Sequence, residues 1–173
     1  MNNYGATSLM IGFNPIINQK IISFARDNIP YDAQENPNDG KGIVTDPHIS
    51  LLTDIDLTFP DVKLKKVIQE IPAFKINFGD ISFFKNNSDV IKIDILSEQL
   101  DEIHYNLRKL IPNNYKFDEY KPHCTLAFVK KDSCDDILKL KSYFRGMNFT
   151  VEAINFNSQK GVSFPIKINR KPI

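Results

Sequence analysis

From Phe74 to Leu96 the chain alternates apolar and polar side chains with the two-residue period of a half-buried strand. Phe74, Ile76 and Phe78, then Ile81 and Phe83, make the first run, and Val90 to Leu96 makes the second. Asn86-Asn87-Ser88-Asp89 lies between them and is built from turn formers, so Phe74–Phe84 and Val90–Leu96 predict a hairpin. Elsewhere the period lengthens to that of a helix. Ile17, Ile21, Ile22, Phe24 and Ala25 predict a helix that starts at Asn14-Pro15 and runs to about Asp27. Asp61, Val62, Leu64, Val67, Ile68 and Ile71 predict a second, ended by Pro72. Ser97 caps a third that runs to about Ile111, where Pro112-Asn113-Asn114 stops it. A fourth is expected after Ser133 or Asp135, with Ile137, Leu138, Leu140, Tyr143 and Phe144 on it and Gly146 closing it.

Five further stretches read as strands: residues 7–13, Ile43–Thr53, Lys121–Lys130, Asn148–Asn157 and Val162–Ile168. Between Asn28 and Gly42 the chain is polar and rich in Pro, Asn, Asp and Gly, either a lid over a cleft or a disordered surface loop. Helix followed by strand recurs in each half, which predicts an α+β fold of two related lobes, approximately 1–86 and 87–173, within one bilobed domain.

Two of the strands carry the same words. Pro47-His48-Ile49-Ser50-Leu51 and Pro122-His123-Cys124-Thr125-Leu126 both read Pro-His-x-[Ser/Thr]-Leu. Alternation puts His48 and Ser50 on one face, and likewise His123 and Thr125. Ile49 with Leu51, and Cys124 with Leu126, are apolar enough to be drawn into a core, which turns the polar pairs toward a cleft.

Composition narrows the partners. A net charge of +1 over 173 residues, with 25% charged and 42% hydrophobic side chains, is ordinary globular usage. Residues 1–86 carry 8 basic against 10 acidic side chains and residues 87–173 carry 14 against 11, too mild a split for a long duplex nucleic acid. A small anion held by a few placed groups fits better. Cys124 and Cys134 make no CxxC pair, so reduced thiols and a cytoplasmic location are expected. The apolar run Ser8–Phe13 is too short to span a membrane and lacks a cationic lead-in, so no membrane partner is expected.

Phosphodiester cleavage needs a group to remove a proton from the incoming hydroxyl and another to protonate the departing oxygen. Imidazole titrates where both roles are populated. A hydroxyl two residues along the same strand face can donate to a non-bridging phosphate oxygen, which assigns catalysis to His48 and His123 and phosphate binding to Ser50 and Thr125. No metal or other cofactor is required. The two histidines could instead be structural or ligate zinc, but a third ligand with fitting spacing is missing and the repeated hydroxyl has no place in such a site. His104, beside Leu100, Ile103 and Leu107, reads as a boundary or surface histidine. Tyr120 and Lys121, next to the second motif, either stack on a base and approach a phosphate or sit at an exposed edge. Lys160, between Asn157 and Gly161, reaches the groove if the last strands return beside the first motif. Phe74, Phe78, Phe83 and Phe84 read as hairpin core.

Paired Pro-His-x-[Ser/Thr]-Leu motifs in a chain of this size resemble the 2H phosphoesterase superfamily, which includes bacterial LigT-type 2′-5′ RNA ligases, cyclic phosphodiesterases and viral 2′-5′ oligoadenylate phosphodiesterases. The resemblance covers nearly the whole chain. It implies a bilobed α+β fold of two pseudo-symmetric, mostly antiparallel sheets, with helices outside and both motifs in a central cleft. It also implies metal-independent cleavage of a small, cyclic or 2′/3′-linked oligonucleotide. An RNA 2′,3′-cyclic phosphodiesterase or 2′-5′ ligase, and a non-catalytic nucleotide-binding module, are the alternatives. The stretch Tyr120–Lys131 resembles a phage-encoded branch, some members of which are anti-CBASS enzymes that destroy cyclic oligonucleotide signals, which would place the chain in a host cytoplasm. Ser50 stands where the commoner pattern has Thr, and Cys124 where it has an aliphatic residue; the serine keeps the hydroxyl and loses only rotamer stiffness.

Overall fold

The computed structural model describes residues 7–56, 58–158 and 163–169. In chain order the strands are β1 (Ser8–Gly12), β2 (His48–Leu52), β3 (Phe74–Phe84), β4 (Ser88–Leu96), β5 (His123–Lys130), β6 (Asn148–Val151), β7 (Ala153–Asn157) and β8 (Ser163–Lys167). The helices are α1 (Pro15–Asn28), α2 (Asp61–Gln69) and α3 (Glu98–Leu110). Asn14 caps α1 by accepting from the Ile17 amide at 2.9 Å, and Ser97 caps α3 by accepting from the Leu100 amide at 3.2 Å. Each helix buries one stripe: Ile21, Phe24 and Ala25 on α1, Leu64 and Ile68 on α2, Leu100, His104 and Leu107 on α3.

The strands form one antiparallel sheet in the order β6-β3-β4-β5-β2-β1-β7-β8. This corrects the expectation of two sheets. The motif strands β2 and β5 lie side by side at the centre, paired at Ile49 and Cys124, so the halves are continuous through that seam. A division at 86 and 87 would cut the turn of the β3–β4 hairpin, and β7 and β8 return to complete the half begun by β1 and β2. The reason lies at Glu152, where the expected strand Asn148–Asn157 breaks: β6 pairs with β3, and one residue later β7 pairs with β1. So short a link between an edge strand and the far half requires the sheet to curl. The bonds from the Ala73 amide to the Asn169 carbonyl at 2.7 Å and from the Asn169 amide to the Ile71 carbonyl at 2.8 Å bring the curled ends together. Phe13, just after β1, meets Phe78 of β3 and Phe149 of β6 at 5.4 and 5.5 Å between ring centres.

Two other expectations change. Residues 28–42 are not a disordered loop: the segment is tied to the sheet and residues from Glu35 onward wall the cleft. Short 3-10 turns at Tyr31–Ala33 and Pro37–Asp39 lead into a segment hydrogen-bonded along β5, with Glu35 to Phe128 at 3.1 Å, Phe128 to Gly42 at 3.0 Å and Val44 to Leu126 at 2.9 Å. It fills the edge of β5 that β2 is too short to cover. Accordingly only His48–Leu52 of the expected strand Ile43–Thr53 belongs to the ladder. The expected fourth helix is a 3-10 segment, Asp135–Leu140, followed by turns that bond three residues apart up to Gly146, whose φ of 87° favours glycine. It still buries Ile137 and Phe144.

Candidate active site

From the Ile49–Cys124 pair, one step in opposite directions sets His48 across from Thr125 and Ser50 across from His123. All four are half-buried, while Ile49, Leu51 and Cys124 are fully buried and Leu126 nearly so. The two imidazoles are thus diagonal neighbours on one face of adjacent strands, a relation that separates Cβ atoms by about 7 Å, enough for a phosphate between them.

Each ring is held in the same way. Nδ1 of His48 donates to the Asp46 carbonyl at 2.8 Å, and Nδ1 of His123 donates to the Lys121 carbonyl at 2.6 Å. A carbonyl can only accept, so both neutral rings carry their proton on Nδ1 and their lone pair on Nε2. The carbonyl in each case belongs to the residue before a proline, Pro47 or Pro122, where the backbone is biased to an extended conformation. The repeated proline is therefore part of the device.

The surroundings of the rings differ. Asp94 is the register partner of His123 on β4, and Lys92 that of Thr125. Lys92 is 6% exposed; its ammonium donates to Ser82 Oγ at 2.6 Å and to the Asp94 carboxylate, and stands 4.6 Å from the centre of the Phe84 ring. Phe84 meets His123 edge-on at 4.8 Å. Burial lowers the pKa of His123, and the ammonium of Lys92 lowers it further against the opposing pull of the Lys121 carbonyl and Asp94. Beside His48 lies Gly12 of β1, where a Cβ would come within 3.0 Å of Asn155 Nδ2. Glycine there makes room for an amide next to the histidine.

Sequence reasoning missed Lys92 and Asp94. Ile91 and Ile93 alternate with them into the core, which places both on the cleft face. Only the pairing of β4 with β5 reveals what they stand beside.

Tyr120 and Lys121, expected either to meet the substrate or to sit at an exposed edge, both line the groove but are held differently. Tyr120 is buried, lies flat on His104 at 3.9 Å, and donates its hydroxyl to the Ser50 carbonyl at 3.1 Å, so it braces the first motif strand from the groove wall. Lys121 is exposed and paired with Glu119 at 3.1 Å. Lys160 lies outside the described residues. His104 is a fully buried histidine, contrary to the expectation of a boundary or surface one: its Nδ1 bonds the Leu51 carbonyl at 2.7 Å, tying α3 to β2, and burial lowers its pKa. Phe74 and Phe78 are core as expected, whereas Phe83 and Phe84 are half-buried and line the groove.

The groove has two compartments that share Asn86, Val90 and Phe128. One, of about 1100 Å³, reaches His48 and is walled by the 35–46 segment and the hairpin turn. The other, of about 720 Å³, holds Ser50, His123 and Thr125 between aromatic walls. The hairpin turn between them is pinned by Lys85, whose ammonium donates to Asp89, Asp132 and Asp135 at 2.9, 3.0 and 2.9 Å. Burial works against the Asp89 carboxylate, but the Lys85 ammonium and the Asp132 amide outweigh it and hold its pKa below the ordinary range. Among the described residues, these three aspartates are the one acidic group compact enough to share a cation, and they surround an ammonium. Burial pushes the Cys124 thiol up to about 12, so it is no nucleophile at neutral pH.

Residues 44–162, which include both motifs, match the 2′-5′ RNA ligase superfamily. No curated protein matches the sequence. Among solved structures, TT0787 of Thermus thermophilus is similar with a TM-score of 0.66 at 15% identity, over 94% of this chain and 95% of that one. E. coli LigT complexed with 3′-AMP gives 0.67 at 14% identity, over 94% and 95%. Kluyveromyces marxianus Usb1 with uridine monophosphate gives 0.56 at 10% identity, over 94% and 97%. At such identities the likeness is one of fold. No helix among the described residues is long and apolar enough to cross a membrane.

Proposed function

The chain belongs to the 2′-5′ RNA ligase superfamily, within the 2H phosphoesterases that its paired motifs resemble, and we propose that it is a phosphodiesterase acting on small oligonucleotides by two-histidine acid–base catalysis. The observation that carries this reading is the matched pair of Nδ1–carbonyl bonds on adjacent strands, which gives two rings the same tautomer on one face. In the reaction, one Nε2 takes the proton of the attacking hydroxyl as its oxygen bonds to phosphorus. The other imidazole, protonated, gives its proton to the oxygen whose bond to phosphorus breaks. Ser50 and Thr125 donate to the non-bridging oxygens as charge grows there. The lowered proton affinity of His123 suits the role of base. If the attacking hydroxyl is a ribose 2′-OH, a 2′,3′-cyclic phosphate forms; if it is water, the cyclic phosphate is itself a substrate.

A cyclic oligonucleotide of antiviral signalling is the finer reading, supported by the resemblance of the second motif strand to the anti-CBASS branch. Ligation through a 2′-5′ bond would run the same proton transfers in reverse. The discriminating experiment presents cyclic dinucleotides, cyclic trinucleotides, 2′-5′ oligoadenylate and 2′,3′-cyclic-phosphate RNA in excess EDTA. Turnover of one of these that is lost in H48A and H123A is expected. Turnover abolished by EDTA would refute the metal-free mechanism, and binding without product would leave a sequestering module.

A further inference from the structure

We propose that His104 and Tyr120 form a stacked positioning pair that holds the backbone of the first motif strand, so that the Ser50 hydroxyl is fixed toward the phosphate. The inference rests on the phosphodiesterase reading for what Ser50 does, and on the sheet itself for why Ser50 needs holding. Of the two motif strands, β2 is the less supported. β5 is laddered with β4 from His123 to Lys130, whereas β2 is paired with β5 at Ile49–Cys124 and no further toward Leu52. On its other side the register with β1 slips: Met10 faces Ser50 and Leu9 faces Leu52, which leaves Leu51 without a partner in that ladder. An extra residue of this kind bends its strand and re-aims the side chain beside it. The neighbour is Ser50, whose χ1 lacks the stiffness that a second branch on Cβ gives Thr125.

Side chains take the carbonyls at that irregularity. Tyr120 donates its hydroxyl to the Ser50 carbonyl at 3.1 Å, and His104 donates from Nδ1 to the Leu51 carbonyl at 2.7 Å. Their rings lie 4° from parallel with centres 3.9 Å apart, so turning either away from its carbonyl breaks the stack. Tyr115 meets His104 edge-on at 4.8 Å, and both members of the pair are buried. The same stretch of chain follows β2 onward: the Asn114 amide bonds the Asp54 carbonyl and the Asp56 amide bonds the Pro112 carbonyl, each at 2.9 Å. Residues 104–120 thus lie as a splint along the chain from Ser50 to Asp56. His48 is held separately, by the Asp46 carbonyl, so the pair acts on the hydroxyl of the first motif and not on its imidazole.

The test uses the full chain, with inorganic phosphate as the probe and the ¹⁵N shifts of the His48 and His123 rings as the readout. Y120F deletes the hydroxyl and keeps the stacked ring, and should weaken phosphate binding about 2- to 10-fold, the worth of one hydrogen bond. In a double-mutant cycle that factor should vanish when Y120F is added to S50A and persist when it is added to T125V. H104F keeps a ring on Tyr120 but has no proton for the Leu51 carbonyl, and should show the same pattern; if it does not fold, Y120F alone decides. A general loosening of the fold would weaken binding equally in both backgrounds. A parent that binds no phosphate, a Y120F protein that binds it as tightly as the parent, or a Y120F factor undiminished in S50A overturns the positioning role. Failure of the chemistry shows separately, as absence of product from every substrate while the coupling between Tyr120 and Ser50 is intact.

Discussion

The two halves of the sheet offer the same Pro-His-x-hydroxyl strand to the cleft, yet they furnish its flanks differently. Beside the second motif stand a buried lysine, its aspartate and an aromatic edge; beside the first stand a glycine, Met10 and Asn155. Backbone tethering is shared, through carbonyls two residues upstream of each ring. Electrostatics is not shared. Chemistry that needs two imidazoles in opposite protonation states can thus be written with one repeated motif, provided the neighbours on the outer strands break the symmetry.

Removing either ring tests the shared part. H48A and H123A should each lower kcat by about 10²- to 10⁴-fold with the substrate still bound, as read by steady-state kinetics and a binding titration. Parental activity in both would break the comparison outright. Next in size, S50A and T125V should cost about 10²-fold or somewhat more in kcat with little change in circular dichroism, if each hydroxyl serves the developing charge. A loss confined to KM would assign the hydroxyls to ground-state binding instead.

The unshared part is read by pH. Lys92 contributes positive charge beside His123, so removing it raises that pKa and protonates the base at a higher pH. In K92M the acid limb of the kcat/KM profile should therefore move to higher pH, and in D94N to lower pH, because Asp94 pulls the other way. A limb that stays put in both variants would mean that the flank does not tune the ring. The smallest effect is on stability. His104 and His123 both have folded pKa values below that of the unfolded chain, so the stability they contribute is present above the ordinary histidine pKa, about 6.5, and declines as pH falls through it. Urea unfolding at pH 7.5 and 5.5 should show that decline, reduced in H104Q.

What the sequence disclosed and what it withheld follow the range of the forces involved. Local period and capping found the hairpin, three helices and the faces of both motifs, because alternation and Asn14 or Ser97 act within a few residues. The break at Glu152 and the single sheet were hidden because strand partners are chosen by the curl of the whole sheet. The 28–42 segment looked loose for the same reason: its backbone partners are on β5, about ninety residues away. His104 lacked a motif, yet its burial against Leu51 and Tyr120 depends on contacts between α3, β2 and the approach to β5. Lys92 carries no local signal, and only the register sets it beside Thr125.

The central claim is that His48 and His123 present Nε2 to one phosphorus, and ¹⁵N spectra of the histidine rings with inorganic phosphate as the probe test it most directly. Both rings should be the Nδ1–H tautomer when neutral, and both Nε2 signals should move along one binding curve, with His104 unmoved as the internal reference. A neutral Nε2–H ring at either position, or phosphate that shifts one ring alone, would contradict it.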